Sequence, residues 1–208
     1  MSKMRTIKVA ITGDMGSGKS YCCSLFASLG VPVFLTDISA KKLMAENDEV
    51  KRELRTLISA DIYNEDGTVN RDVLQFKLFE CDRQEKYRDI VNRTLYSYVE
   101  ADYEKFCKDN EQAPYIMCES AILFETGWFD KFDYIIYVNA PEDVRIERVI
   151  KRSNLTEEQQ RARMKNQLNP KLKMRASDFV IENHGRNNPV KQVDCIHEEL
   201  VKRILEAA

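Results

Sequence analysis

The segment Gly13-Asp14-Met15-Gly16-Ser17-Gly18-Lys19-Ser20 decides the fold. It fits the pattern G-x-x-x-x-G-K-[ST], in which glycines let successive backbone N–H groups point inward around phosphate oxygens at a helix N-terminus. The preceding residues, Ile7–Thr12, form a β-branched run that predicts a buried strand, and residues 19–29 carry apolar side chains at helical spacing. Because the motif lies between a strand and a helix, as its mechanism requires, we interpret it as a phosphate-binding loop rather than a chance glycine-rich turn.

The chemistry of this loop predicts nucleotide binding. Lys19 would reach the β- and γ-phosphates of a nucleotide, and the Ser20 hydroxyl would hold Mg²⁺. The loop amides would surround the phosphate oxygens at the positive end of the helix dipole.

Strand and helix patterns alternate along the rest of the chain. Four further segments have the β-branched or aromatic character of strands: residues 31–36, 115–119, 134–139 and 179–181. Strands that alternate with helices are typical of a parallel α/β sheet. The sequence therefore predicts five parallel strands.

Helical patterns fill most of the remaining sequence. Residues 40–110 are charged and mostly helical in pattern, with turn residues at 64–67, and we interpret them as a helical insertion with its own binding surface. Pro141 and the two acids after it open a helix that we expect to end near Arg152. Residues 190–208 predict a closing amphipathic helix.

Two acidic residues follow the predicted strands. Asp37 comes after the second strand, and in a parallel sheet ligands bind at the carboxyl ends of strands. Its carboxylate could accept or orient the proton of an attacking hydroxyl. The alternative is an N-cap for a helix that starts at Ile38. Glu119 ends the third strand, where it could support a bound magnesium ion. Position alone leaves these alternatives open.

Basic residues are concentrated in one stretch. The chain of 208 residues has 32 Lys plus Arg against 34 Asp plus Glu, a balance that argues against a dedicated nucleic-acid binder. Residues 145–175 nevertheless contain ten basic and three acidic residues. Mobile arginines there, Arg148 and Arg152 among them, would neutralise a migrating phosphoryl group. The alternative is a solvated charged helix face.

Composition excludes several other classes of protein. With 43% hydrophobic residues the chain is not disordered, and no run approaches the ~20 apolar residues that a membrane span needs. The N-terminus has too short an apolar stretch for a signal peptide. Six cysteines show neither a CxxC pair nor zinc spacing, so we expect free, mostly buried thiols in the cytoplasm.

Taken in order, these motifs make the chain resemble the dephospho-CoA kinases, P-loop enzymes that perform the last step of coenzyme A synthesis. The family's opening TGGIGSGKS is matched by residues 12–20, and its DAD tripeptide by Leu35-Thr36-Asp37. Its closing glutamine and AD-x-V-I-x-N-x-G pattern are matched by Gln167 and residues 177–185. Shorter family segments, G-x-x-x-R-x-x-L, PLLFE and V-x-A-P-E-x-x-x-x-R, are matched by residues 67–74, 121–125 and 138–148.

The chain also departs from the family pattern at four places. Asp14 stands where the family has its second loop glycine, and Tyr21 where it has threonine. Leu35 removes the first acid of DAD, and Tyr96-Ser97 replaces a His-Pro pair in the insertion.

The resemblance implies a single P-loop kinase domain over residues 1–208. It would have a five-stranded parallel sheet in the order 2-3-1-4-5, flanked by helices. The implied parts are a core of about 1–39, 111–152 and 176–208, a helical acceptor-binding insertion of about 40–110, and a lid of about 153–175.

The resemblance also implies the activity, which is ATP-dependent phosphorylation of the ribose 3′-hydroxyl of dephospho-CoA, with ATP and Mg²⁺ as cofactors. The implied catalytic residues are Asp37 as the base, Lys19, Arg148 and Arg152. The implied nucleotide-binding residues are Gly13, Gly16, Ser17, Gly18, Lys19, Ser20, Tyr21 and, beside the adenine, Asn183. Neither a nucleic-acid nor a membrane partner is expected, and the sequence does not indicate the oligomeric state.

Two other functions remain open at this point. One is a kinase of another small alcohol, such as a nucleoside, a nucleotide or a shikimate-like acceptor. The other is a nucleotide-binding regulatory module, although no NKxD-type motif follows the fourth strand.

Overall fold

A computed structural model of the chain describes residues 5–152, 161 and 168–206. Within these residues five strands form one sheet in the order β2-β3-β1-β4-β5, and every neighbouring pair is parallel. The strands are β1 Ile7–Thr12, β2 Val33–Leu35, β3 Tyr115–Glu119, β4 Tyr134–Asn139 and β5 Phe179–Glu182. The predicted fold class and strand order are confirmed.

The second strand is shorter than the sequence predicted. Residues 31–36 were expected to be extended, but β2 pairs with β3 only from Val33 to Leu35. Pro32 has no N–H to donate to the ladder, although its carbonyl accepts the Met117 N–H at 2.9 Å. At the other end β3 stops at Glu119, so no β3 residue is left to pair with Thr36.

Two helices pack on the same apolar cluster as the central strands. They are α1, Lys19–Ser28, and the closing helix α8, Pro189–Glu206. The cluster includes Val9, Ile11, Cys22, Phe26, Met117, Ile136, Val138, Val193, Ile196 and Leu200, all buried. The strand β3 is buried along its whole length, as is typical of strands in parallel sheets whose faces are covered by helices.

Two further helices of this part of the chain carry residues of the site. The helix α6, Glu142–Ile150, follows β4, with Pro141 directly before it and two acids in its first turn. It ends two residues before Arg152, which lies in a turn. The short helix α7, Pro170–Arg175, precedes β5 and is capped by the Asn169 side chain, which accepts the Lys171 N–H.

The chain divides into two compact units, Met1–Leu35 with Asp109–Ala208, and Thr36–Lys108. The second unit is helical, as residues 40–110 predict. Its helices are α2 Thr36–Glu46, α3 Asp48–Leu57, α4 Arg71–Phe79 and α5 Gln84–Asp109, which ends one residue beyond the unit. Ser39 of α2 donates to Asp102 of α5 at 2.7 Å, which ties these two helices together, and Tyr63, between α3 and α4, donates to the Met44 carbonyl of α2 at 3.0 Å.

Across the described ranges, no helix has both the length and the apolar character needed to cross a membrane.

Candidate functional site

The glycine-rich loop joins β1 to α1 at the carboxyl edge of the sheet. Gly18 is the N-cap of α1, with φ 94°, and a side chain at this position would overlap the Asn183 amide. Among the described residues no side chain caps α1, and its first turn contains no acid. The N-terminal N–H groups therefore present a positive helix end suited to an anion.

Lys19 folds back onto the loop that precedes it. Its Nζ donates to the Gly13 carbonyl at 2.8 Å, and the residue is 9% exposed. Ser20 and Tyr21, the next two predicted nucleotide-binding residues, are exposed in the first turn of α1. The structure thus places the lysine beside the loop backbone and the serine in the first turn of α1, and their roles toward a nucleotide stay predictions.

Two hydroxyl groups of the loop region are buried without a hydrogen bond among the described residues. Thr12 Oγ1 and Ser17 Oγ have no hydrogen-bond partner in the part of the chain that the structure describes. Leaving a buried hydroxyl unpaired costs about 1–3 kcal/mol. A phosphate oxygen or a water molecule would satisfy such a group, so the loop suits a polar ligand.

Arg148 and Asn183 brace the loop from outside. Arg148 Nη1 donates to the carbonyls of Gly16 and Ser17, both at 3.3 Å, and its Nη2 donates to the Asn183 carbonyl at 2.8 Å. The Asn183 side-chain N–H also donates to the Ser17 carbonyl at 2.7 Å. Both predicted site residues therefore lie at the loop and hold its backbone. Arg152 is exposed and follows the end of α6.

Asp37 lies in the first turn of α2 and is exposed. The helix begins at Thr36, so the alternative that Asp37 is the N-cap of a helix starting at Ile38 is wrong. The carboxylate follows the end of β2 by two residues, and its role as a base stays a prediction. Glu119 is 6% exposed at the end of β3.

Asp14 is the centre of a buried charged group that the sequence did not predict. Its Oδ1 lies 2.6 Å from Lys173 Nζ and its Oδ2 lies 3.3 Å from Arg145 Nη1. The Tyr137 hydroxyl donates to Oδ2 at 3.0 Å, and Lys173 also lies 3.3 Å from Glu125 Oε1. The expectation of a mobile cationic stretch is wrong for Arg145 and Lys173, because both side chains are buried. Their ion pairs with Asp14 make this burial possible. An acid inside a phosphate loop was the one signal that could have indicated this group.

Electrostatics keep the Tyr137 hydroxyl in the role of donor. Burial, and after it the Asp14 carboxylate, raises the pKa of Tyr137 above its usual range. The phenol therefore stays protonated at neutral pH and continues to donate to Asp14.

The arrangement of strand, phosphate loop, uncapped helix and buried lysine is that of a nucleotide-binding site. The family model for dephospho-CoA kinase matches residues 7–188. The chain belongs to the dephospho-CoA kinase family.

Individual dephospho-CoA kinases resemble the chain over most of its length. The Bacteroides fragilis enzyme is 33% identical over 187 residues, covering 90% of this chain and 89% of the relative. The Salinibacter ruber enzyme is 35% identical over 185 residues, covering 88% and 92%. Among solved structures, TT1252 from Thermus thermophilus has a TM-score of 0.79 at 28% identity and covers 95% of this chain and 99% of its own. The resemblance drawn from the motifs is confirmed.

Most of the lid expected from the dephospho-CoA kinase pattern lies outside the described residues. Of residues 153–175, the structure describes 161 and 168–175. Arg161 pairs with Glu142 at 2.8 Å. The lid stays a prediction.

The cysteines beside the loop are buried rather than reactive. All six cysteines are free, as expected, and three of them, Cys22, Cys23 and Cys118, are buried, while Cys195 is exposed. Burial raises the pKa of Cys22 to about 11 and that of Cys23 further still. Since the thiolate is the reactive form, neither thiol is activated in the described structure.

No group of three or more His, Cys, Asp and Glu side chains in the described parts of the chain is placed to hold a metal ion. A magnesium ion at Ser20 would take its other oxygen ligands from phosphates and water, as Mg²⁺ commonly does in phosphate-transfer sites.

Proposed function

We propose that this protein transfers the γ-phosphoryl group of ATP to the ribose 3′-hydroxyl of dephospho-CoA, giving coenzyme A and ADP. The observation that carries the proposal is the match of residues 7–188 to the dephospho-CoA kinase family, with Gly13–Ser20 retained inside it. A new bond forms between the acceptor oxygen and the γ-phosphorus, the bond from that phosphorus to the leaving ADP oxygen breaks, and the hydroxyl proton goes to a base.

The loop binds the triphosphate in this proposal. Its N–H groups surround the phosphate oxygens, and Lys19 exchanges the Gly13 carbonyl for the β- and γ-phosphates. The buried Ser17 hydroxyl then has an acceptor within the ligand. Ser20 would hold Mg²⁺, which neutralises charge on the phosphates when bound.

Asp37 acts as the base that accepts or orients the proton of the 3′-hydroxyl. Two features support this role: the residue is exposed, and it stands at the position of the second acid of the family's DAD tripeptide. An ionised carboxylate held against the attacking oxygen both removes the proton and aligns the oxygen for in-line attack.

Arginines and the segment after β5 complete the site. Arg148 fixes the carbonyls of Gly16 and Ser17, so that the loop N–H groups remain directed at the phosphates. Arg152, which is exposed, neutralises the charge that spreads over the transferred phosphoryl oxygens. Asn183 and the residues after it border the adenine. The free thiols fit a reducing compartment, so we place the enzyme in the cytoplasm.

The first test is ADP release with dephospho-CoA against a panel of other alcohols, namely nucleosides, nucleotides and shikimate. We expect turnover to be fastest with dephospho-CoA. Faster turnover with another alcohol would identify a kinase of that acceptor. Nucleotide binding without ADP release for every acceptor would indicate a regulatory module.

A second test concerns the base. Asp37→Asn should retain ATP binding while kcat falls by roughly 10²-fold or more, because the proton loses its acceptor. Asp48→Asn is the matched control, since Asp48 is also an exposed acid in the first turn of a helix, α3. Equal kcat values for the two variants would contradict the role of Asp37.

A further inference from the structure

A carboxylate in a phosphate-binding loop is an electrostatic anomaly. Asp14 is the residue after the first loop glycine, where the family pattern has a second glycine, and its negative charge would repel a triphosphate. The structure shows how this charge is neutralised. Asp14 is 2% exposed, and both of its carboxylate oxygens face a cation.

The two cations that face this carboxylate are themselves buried. Lys173 is 2% exposed and has Asp14 and Glu125 as its acidic partners among the described residues. Arg145 is 7% exposed, and its Nε donates to the Ala140 carbonyl at 3.0 Å while Nη1 faces Asp14. Buried charges of this kind are stable only while their partners remain, since removing one partner leaves the other uncompensated.

The group links the loop to several elements at once. Arg145 belongs to α6, Lys173 to α7 and Tyr137 to β4. Within the loop, the Ser17 N–H donates to the Asp14 carbonyl at 3.0 Å, so the position of Asp14 sets the turn that follows it. Arg148 and Asn183 hold the later part of the loop through the Gly16 and Ser17 carbonyls, whereas Asp14 is tied through its side chain.

We propose that Asp14 is a positioning residue for nucleotide binding, which holds the phosphate loop in its binding shape through ion pairs with Lys173 and Arg145. The inference rests on the proposed function in one respect, that the loop receives the phosphates of ATP. Asp14 does not touch the reacting atoms. It acts through the backbone whose N–H groups do.

The test begins with Asp14→Asn, which keeps the size of the side chain, removes its charge and replaces one acceptor oxygen with an N–H₂ donor. We expect the Kd for ATP, measured by calorimetric titration without acceptor, to rise roughly tenfold or more. The loop holds the phosphates in the ground state and in the transition state alike, so KM for ATP should rise far more than kcat falls. KM for dephospho-CoA should stay within about twofold of the wild type.

Lys173→Met tests whether the ion pair carries the effect. Met fills most of the buried volume without a charge, and we expect the Kd for ATP to rise as it does in Asp14→Asn. The double variant should bind ATP no more weakly than the weaker single variant, because the second change removes a partner already lost. Its midpoint of thermal unfolding should exceed that of Asp14→Asn, since in the single variant the buried Lys173 charge is left with Glu125 alone of its two acidic partners, and the double variant removes that charge.

The matched control is Asp133→Asn. Asp133 accepts the Lys8 N–H at 2.8 Å near the amino end of β1, while the loop follows the carboxyl end of that strand. This variant should bind ATP as the wild type does.

Several results would overturn the inference. One is a folded Asp14→Asn enzyme with wild-type affinity for ATP, and another is an equal rise of KM for both substrates in that variant. A third is a double variant whose Kd for ATP rises by the product of the two single-variant factors. If Asp14→Asn does not fold, the double variant decides, and wild-type ATP affinity in the folded double variant would contradict the proposal. A wild-type protein that binds ATP but does not phosphorylate dephospho-CoA would contradict the proposed function alone, because the titration needs no acceptor.

Discussion

Gly16 shows how little space surrounds the phosphate loop at the scale of one residue. Its φ is 81°, in the region that favours glycine, and a methyl group there would overlap the Arg145 carbonyl oxygen and lie 2.9 Å from Val149 Cγ2. Gly30, at the end of α1, has nearly the same φ of 83° and open space around it. The two glycines therefore separate the effect of packing from that of backbone conformation.

We expect Gly16→Ala to lower the free energy of unfolding by about 1–3 kcal/mol more than Gly30→Ala does. Both variants strain a left-handed backbone, but only the first forces a methyl group against a carbonyl of α6. Urea unfolding of the two variants and the wild type measures the difference. Equal losses would mean that backbone strain accounts for the whole effect and that α6 moves away freely.

The residues of the site differ in how far the sequence predicts them. Lys19 and Ser20 could be placed because the loop pattern is local and its strand and helix are adjacent in the chain. The pairing of Asp14 with Lys173 could not, because it joins residues far apart in sequence and depends on how α7 packs beside β4. Arg148 was predicted at the site because its charge could neutralise a phosphoryl group. In the structure its guanidinium instead donates hydrogen bonds to loop carbonyls. Donor geometry of that kind follows from tertiary packing and has no sequence pattern.

At the scale of elements, helix α8 was the easiest to predict and has a clear function in the core. Its buried residues Val193, Ile196, Leu200 and Ile204 recur every three or four positions, which places them on one face. The end of β2 was harder to predict, because it depends on where the neighbouring strand β3 ends rather than on the residues of β2. Thus periodic elements were predicted well, and boundaries set by a partner strand were not.

Helix α8 offers a matched pair of leucines that tests its packing. Leu200 is fully buried in the cluster shared with α1 and the sheet, and Leu205 on the same helix is 70% exposed. We expect Leu200→Ala to lower the free energy of unfolding by about 2–5 kcal/mol through the cavity it leaves, and Leu205→Ala by less than about 0.5 kcal/mol. Urea unfolding gives both values. A comparable loss for Leu205→Ala would show that its side chain is covered in solution.

At the scale of the whole molecule, the charges are divided unevenly along the chain. Residues 145–175 hold ten basic and three acidic residues, while the total balance is −2. Arg145 and Lys173 are buried and paired with Asp14. The excess of positive charge at the surface of this stretch is therefore smaller than the count of residues indicates. Two cations of the stretch thus pair with an acid of the loop, and the role of Arg152 in neutralising phosphate charge stays a prediction.

The two compact units should respond differently to a nucleotide that binds one of them. In the first unit, β3 is buried along its whole length, so its amides exchange with solvent hydrogen only when that unit unfolds. In the second unit, α4 has no buried residue, which favours exchange through local opening.

Hydrogen exchange followed by mass spectrometry tests this division. ADP at about 100 times its Kd stabilises the folded state by about 2.7 kcal/mol, so β3 amides should exchange about 100-fold more slowly. The amides of α4 should exchange as fast as before, since local opening leaves the bound nucleotide in place. Wild-type protein without ADP is the reference, and Lys19→Met with the same ADP concentration is the control that should lose the slowing in β3. Equal slowing in α4 would show that it opens only when the nucleotide-binding unit unfolds, and unchanged exchange in β3 would contradict nucleotide binding by the loop.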